Sequence, residues 1–405
     1  MRKIDTRQVQ HATRTTSREI NRKIVLNLVR EHQPISRADL ARRMRVGRGM
    51  ISQLVDELIA DGAVYEGATA NAARGRKPKM LHVRTRDRFA IAIDIRFSRT
   101  YVMLGDLEGR QIALESFDTL LSPDELVAEL GRRVRRLLDG HDVAECEGIG
   151  MVVPGMIHRR TGQILNSPQL GWHNVGIREE LAEATGLRVF IENAPIACAL
   201  AHMWLNPANR DGSDNFVYVT VSDGVGVGIV VNGEVLRGHG DTAGEFGHIP
   251  LSLDGPRCLC GLRGCWEAYT SNVATLARYF GLDPSVPESR ETLRGSGFTM
   301  EDLITRVRSG DTRARAALLE TGRYLGAGLA TIVTALSPAR IIVGGEITDA
   351  WDLISGVVSR GVRERTLTDA AAATPVIAAP AGATLRLRGA TALLVARKFA
   401  APKVV

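Results

Sequence analysis

Apolar positions recur at helical spacing through the first part of the chain. Ile24, Val25, Leu28 and Val29 form one stripe, which Pro34 interrupts. Ser36, followed three residues later by Asp39, is a capping-box start for a second helix with Leu40, Ala41 and Met44 on its apolar face. Ile51, Leu54, Val55, Leu58 and Ile59 then fall at i, i+3, i+4, i+7 and i+8, which predicts an amphipathic helix within Gly47–Asp61, stopped by Gly62. Two such helices joined by a three- or four-residue turn predict a helix-turn-helix whose second helix enters a major groove. Arg48, Gly49, Ser52 and Gln53 point outward near the start of that helix. Arginine can read guanine, and glutamine adenine, by paired hydrogen bonds.

Val64-Tyr65-Glu66 and Leu81-His82-Val83 read as two strands around a basic loop, Asn71 to Lys79. This outlines a winged helix whose wing offers Arg74, Arg76 and Lys77 to phosphates or a minor groove. From Phe89 the pattern changes to buried strands alternating with helices. Ala90–Asp94, Thr100–Leu104, Gly148–Val153, Val189–Ile191 and Arg340–Val343 read as strands; Phe216–Val221 and Gly226–Val231 read as a pair around a Gly-rich turn. Glu125–Leu138, Ala194–Trp204 and Leu318–Leu336 read as helices. Such alternation predicts an α/β body.

Composition narrows the class. The chain has 405 residues, 44% hydrophobic and 24% charged, which suits two to four folded domains and excludes a disordered, collagenous or coiled-coil chain. No apolar run approaches the ~20 residues that span a bilayer. The polar start after Met1-Arg2-Lys3-Ile4-Asp5 is not a signal peptide, so a cytoplasmic protein with reduced thiols is expected. Charge is divided unevenly: residues 1–88 hold 20 Lys and Arg against 9 Asp and Glu, and the other 317 hold 32 against 36. A basic module on a mildly acidic body points to double-stranded DNA as a partner.

Three of the five cysteines, Cys258, Cys260 and Cys265, lie within eight residues, with Gly261 and Gly264 between them. That spacing puts three thiolates on one tight loop, as metal ligation requires. His248, ten residues upstream, is the natural fourth ligand, and a Cys3His set is a closed, structural zinc site.

The segments Gly244-Glu245-Phe246-Gly247-His248 and Cys258-Leu259-Cys260-Gly261-Leu262-Arg263-Gly264-Cys265-Trp266-Glu267 resemble the signature of the ROK family of repressors and sugar kinases. Ser167-Pro168-Gln169-Leu170-Gly171-Trp172 and Gly389-Ala390-Thr391-Ala392-Leu393-Leu394 also look familial, and Gly75-Arg76-Lys77-Pro78 resembles the end of the winged helix in the family's regulators. The resemblance covers essentially the whole chain. It implies a two-lobed, actin-like (ribonuclease H-like) body with a sugar in the cleft, held by Asn193, Glu245, His248 and Glu267. By the same resemblance His248 gives one ring nitrogen to zinc and presents the other to a sugar hydroxyl. The implied division is residues 1–88 for the winged helix and linker, 89–195 plus 384–405 for a first lobe, and 196–383 for a second lobe with the zinc loop.

The kinases of that family carry Asp-x-Gly-Gly-Thr where this chain has Asp94-Ile95-Arg96-Phe97-Ser98. Their second phosphate loop reads Ser222-Asp223-Gly224-Val225-Gly226 here, and their adenosine loop reads Gly344-Gly345-Glu346. Their Glu-Asn-Asp, whose Asp is the general base, reads Glu192-Asn193-Ala194, and alanine takes no proton. The expectation is therefore a regulator without catalytic residues: a repressor of carbohydrate genes, dimeric or tetrameric, whose grip on DNA a sugar or sugar phosphate alters. A sugar kinase with an accessory DNA module and a metal-responsive regulator are the alternatives.

Overall fold

Capping and turn residues divide the N-terminal segment into three helices and a small sheet. In the computed structural model, which describes residues 14–69, 78–141, 143, 145–206, 215–380 and 384–400, these are α1 (Arg14–His32), β1 (Ile35–Ser36), α2 (Arg37–Met44), α3 (Arg48–Ala60), β2 (Val64–Thr69) and β3 (Lys79–Val83). Ser36 and Asp39 form the expected capping box at the start of α2. Arg45, at φ 54°, ends α2 in the left-handed region, so Arg45–Gly47 is a three-residue turn. Ile51, Leu54, Val55 and Leu58 of α3 are buried, and both α1 and α2 pack on that helix.

Two details differ from the sequence pattern. On α1 the inward residues are Val25, Leu26 and Val29, while Ile24 is 42% exposed. The buried face is centred between Leu26 and Val29, so Ile24 falls on the opposite, outward side of the helix. The wing sheet has a third strand: β3 lies between β1 and β2, with Ile35 opposite Leu81 and Tyr65 opposite His82. Two residues are too few for an alternation to be visible. Arg74, Arg76 and Lys77 lie outside the described residues.

This N-terminal unit is built from residues 1–89 together with 106–108 and 394–405. Its C-terminal piece is the end of the last helix. There the carbonyl oxygens of Lys398 and Phe399 accept from Lys23 Nζ and Asn27 Nδ2 (2.8 Å for Asn27). The Arg30 guanidinium lies 4.5 Å above the Phe399 ring, which is fully buried.

The second unit, residues 90–105 and 109–393, is the α/β body. In chain order it holds β4 (Phe89–Ile95), β5 (Arg99–Asp106), β6 (Gln111–Asp118), α4 (Pro123–Gly140), β7 (Cys146–Val153), β8 (Met156–His158), β9 (Gln163–Ser167), β10 (Trp172–Val175), α5 (Ile177–Thr185), β11 (Val189–Asn193) and α6 (Ala194–Leu205). There follow β12 (Phe216–Val221), β13 (Val225–Val231), β14 (Glu234–Val235), α7 (Trp266–Thr270), α8 (Asn272–Phe280), α9 (Pro287–Gly295), α10 (Met300–Arg308), α11 (Thr312–Leu336), β15 (Arg340–Gly344), α12 (Trp351–Arg363), α13 (Asp369–Ala372), β16 (Val376–Ala378) and the first part of α14 (Leu385–Phe399), whose end belongs to the N-terminal unit.

Two five-stranded sheets define two lobes, one ordered β11-β7-β4-β5-β6 and the other β14-β13-β12-β15-β16. β12 and β13 pair antiparallel, as their sequence suggested, and β15 runs parallel to β12. Helix α6 lies between the sheets. Its Ala197 packs with Ala92, Met103 and Val152 of the first, and its Cys198 and Ala199 with Phe216, Tyr218 and Ile342 of the second. Small side chains at these positions let both sheets approach one helix, and that junction places the end of β11 beside β13. Among the described residues no helix is long and apolar enough to cross a membrane.

Candidate metal centre, polar pocket and nucleic-acid surface

After β14 the chain returns to the second sheet through a 3-10 turn, Glu245–His248. Gly247 makes this approach possible, because a Cβ there would stand 2.1 Å from the Val225 carbonyl oxygen. The cysteine loop then folds on itself through bridges between Pro250 and Cys265 and between Arg257 and Arg263. Gly264 closes it at φ +70°, where a Cβ would lie 1.5 Å from the Ser252 oxygen. The loop ends in α7, anchored by buried Trp266, whose Nε1 donates to the Tyr324 carbonyl at 2.9 Å.

The donor atoms of His248, Cys258, Cys260 and Cys265 all lie within 4.8 Å of one another. Cys258 Sγ is 3.8 Å from His248 Nδ1, and Cys260 Sγ is 3.7 Å from Cys265 Sγ. A tetrahedral zinc with bonds of about 2.3 Å to sulfur has sulfur–sulfur edges of about 3.8 Å. The cluster therefore has metal-binding geometry, and its three sulfurs and one nitrogen suit zinc. Burial raises the Cys258 thiol well above its ordinary value and Cys265 to about 11, the neighbouring Glu267 adding to both. Ionising these thiols together near neutral pH requires a cation among them.

With Nδ1 turned to the cysteines, His248 Nε2 lies 3.7 Å from Glu245 Oε2. Glu245 and His248 line one pocket with Asn193, Glu267, Ala194 and Arg386. Burial raises the Glu245 carboxyl, and His248 pulls the other way. Glu267 Oε2 accepts from the Val225 amide at 2.9 Å, and its Oε1 is 3.3 Å from Cys258 Sγ. Asn193 Oδ1 caps α6 by accepting from Ile196 N at 3.2 Å, which leaves its amide nitrogen as the donor for a ligand.

Two lining residues escaped the sequence reading. Asn166 Oδ1 and Ser167 Oγ are buried in the pocket wall with no protein partner. Buried polar atoms normally have partners, so these two are free to accept or donate to a hydroxyl or water that enters the pocket. Their only sequence signal was a place at the edge of the Ser167–Trp172 segment. Carboxylates, an imidazole, amides and a hydroxyl around one small space are a donor and acceptor set for a polyol.

Arg386, which lines the pocket, pairs with Asp94, which is fully buried between two guanidinium groups, 2.7 Å from Arg96 Nε and 2.8 Å from Arg386 Nη2. Burial disfavours the Arg96 charge, but Asp94 and Glu346 more than compensate and raise its pKa. Burial, helped by Glu346, raises the Asp223 carboxyl. Ala194 begins α6 and offers the pocket no acceptor.

In the N-terminal unit, Arg48 and Gln53 are exposed on α3 and Ser52 is half-buried. Arg43 and Arg45, just before α3, are also exposed and enlarge the cationic surface. Arg37 holds α3 beside this face, with Nη2 2.8 Å from Asp56 on α3 and 3.0 Å from Glu66 on β2.

Comparison with known proteins agrees with this geometry. The sequence model of the ROK family matches residues 90–397. The xylose repressor of Bacillus subtilis (strain 168) is 28% identical over 359 residues, spanning 87% of this chain and 89% of the repressor. A crystal structure of a ROK family transcriptional regulator, a homologue of the E. coli MLC protein, aligns with a TM-score of 0.78 at 25% identity, covering 95% of this chain and 98% of the other. A ROK family glucokinase from Streptomyces griseus, solved with glucose and AMPPNP, aligns at 0.65 with 27% identity, covering 75% of this chain and 98% of its own.

Proposed function

Because the chain belongs to the ROK family, we propose that it is a DNA-binding transcriptional repressor of carbohydrate genes, released from its operator by a sugar-type effector. One observation carries this reading. An exposed Arg48 and Gln53 on α3 accompany a body whose pocket keeps Asn193, Glu245, His248 and Glu267 but has Ala194 in place of the kinases' base. Arg48, Ser52 and Gln53 face the major groove; Arg74, Arg76 and Lys77 contact backbone or minor groove. Asn193, Glu245, His248 and Glu267 hold the sugar or sugar phosphate. Zinc on His248, Cys258, Cys260 and Cys265 is structural: it fixes the loop that carries the sugar-facing edge of His248.

In this reading the unit that includes residues 1–88 and the end of the last helix binds DNA, 89–195 plus the first part of that helix form the first lobe, and 196–383 form the second. The protein acts in the cytoplasm as a homodimer or tetramer on a palindromic site. The effector prefers one closure of the lobes, and closure alters half-site spacing. Phosphoryl transfer is absent, since the base is missing and the three nucleotide loops are altered.

Fluorescence anisotropy of the full chain with selected genomic duplexes, at several salt concentrations, tests DNA binding. A thermal-shift screen of monosaccharides and their phosphates tests the effector, because a ligand of the folded state stabilises it by RT ln(1 + [L]/Kd). A chain without salt-sensitive DNA affinity overturns the repressor reading. ATP-dependent turnover of a hexose or pentose overturns the non-enzymatic one.

A further inference from the structure

The residues that interrupt the first phosphate loop have contacts of their own. Arg96 and Phe97 occupy the turn between β4 and β5, on the first sheet. Arg96 is anchored at its base by buried Asp94, stacks 4.9 Å from the Tyr101 ring, and sends Nη1 to 3.5 Å from Glu346 Oε1. Glu346 follows β15 on the second sheet and is itself held by Asn272 Nδ2 at 3.0 Å. Phe97 lies under the guanidinium of Arg294, 3.9 Å from its ring centroid. Arg294 belongs to α9, whose Leu293 is part of the second lobe's core. Both contacts therefore join one lobe to the other, and both begin at residues that are glycines in the kinases' motif.

Other ties between the lobes exist. Arg237, after β14, reaches Glu192 on β11 at 2.6 Å, and both are largely buried. Asp241 Oδ2 accepts from the Arg159 amide at 2.9 Å. Those ties involve other segments, whereas Arg96 and Phe97 stand on the loop that matches the kinases' first phosphate loop.

We propose that Arg96 and Phe97 form a side-chain clasp that joins the two lobes across the former phosphate site, so that closure needs no nucleotide and is set by the pocket ligand alone. The inference deepens the regulator reading and rests on it for its biological sense. A kinase closes its lobes around two substrates and opens to release them. A regulator needs two states of comparable free energy that one ligand can rebalance. Side-chain contacts between the lobes supply the closing free energy that a nucleotide would otherwise provide, and being modest in number they leave the equilibrium within reach of one small molecule.

Hydrogen–deuterium exchange on the ligand-free full chain tests the clasp. One variant, R96G/F97G, restores the small residues. A second, E346A/R294A, cuts the same two contacts from the other lobe and leaves Asp94 paired. In both, amides of segments 94–98 and 344–348 are expected to exchange faster by roughly tenfold or more, with those of α3 unchanged. Adding Mg-AMPPNP to the native chain should protect neither segment. Native exchange rates in both variants, or protection of the native chain by Mg-AMPPNP, would overturn the clasp. Absence of DNA affinity in the native chain would end the regulator reading while leaving the exchange result intact.

Discussion

At position 194 one methyl group stands where a carboxylate would be needed to accept a proton, and the surrounding pocket is otherwise richly polar. Residues this close to the chemistry were legible because motif spacing is local. The three cysteines and His248 assemble over a short stretch of chain, and the structure brings all four donors together. Asn166 and Ser167 were not legible, because an unpartnered atom is defined by what surrounds it in space. Two outcomes are expected at this scale. Gly264→Ala should cost about 3 kcal/mol or more and reduce zinc content, since its Cβ would meet the Ser252 oxygen at 1.5 Å; calorimetry and metal analysis check this. Gln53→Ala should narrow the gap between operator and scrambled duplex by about 1–3 kcal/mol if its amide reads a base edge. An unchanged gap in anisotropy titrations would remove Gln53 from the recognition set.

The elements divide into those announced by periodicity and those created by pairing. The helix-turn-helix was legible from Ser36, Asp39 and the α3 stripe, whereas β1 exists only because β3 offers it a partner. The capping box also gives the winged unit an acid sensitivity. The Ser36 hydroxyl and amide hold Asp39 below its ordinary 3.8, and Lys79 with Arg37 hold Glu66 below its ordinary 4.5. A carboxyl with a depressed folded-state pKa contributes its full stability above the unfolded value and loses it as pH falls through the folded one. Protection of α2 and β2 amides should therefore be constant near neutrality and decline below about pH 5. Uniform protection down to pH 3 would contradict these pairings. The metal loop is the other self-contained element. Cys260→Ala, or chelation of the native protein, should remove about one zinc per chain and lower the melting temperature together with the response to any sugar that shifts it. An intact response in zinc-free protein would separate the loop from the pocket.

On the scale of the whole molecule, charge asymmetry was legible in the residues themselves, and the two-lobed architecture only through the resemblance to the ROK family. The sequence could show strands alternating with helices, but the order of ten strands in two sheets depends on pairings between distant segments. The uneven charge makes one further outcome specific. DNA affinity of the full chain should fall steeply with salt, and Arg76→Ala should make that slope shallower by about one unit while weakening all sequences alike. A slope that Arg76→Ala leaves unchanged would take Arg76 off the phosphate backbone. The composition of the N-terminal unit has a genetic corollary. Because residues 394–400 also belong to it, with Phe399 buried and its carbonyl bound by Asn27, this unit is encoded in widely separated stretches of sequence. A nonsense codon just before Leu394 leaves every residue of the reading helix encoded, yet it deletes the carbonyl acceptors of Lys23 and Asn27 and the ring beneath Arg30. Truncations before Leu394 should therefore show the derepressed phenotype of lesions within α3, and a DNA-reading cassette copied as residues 1–89 alone should not transplant into another protein.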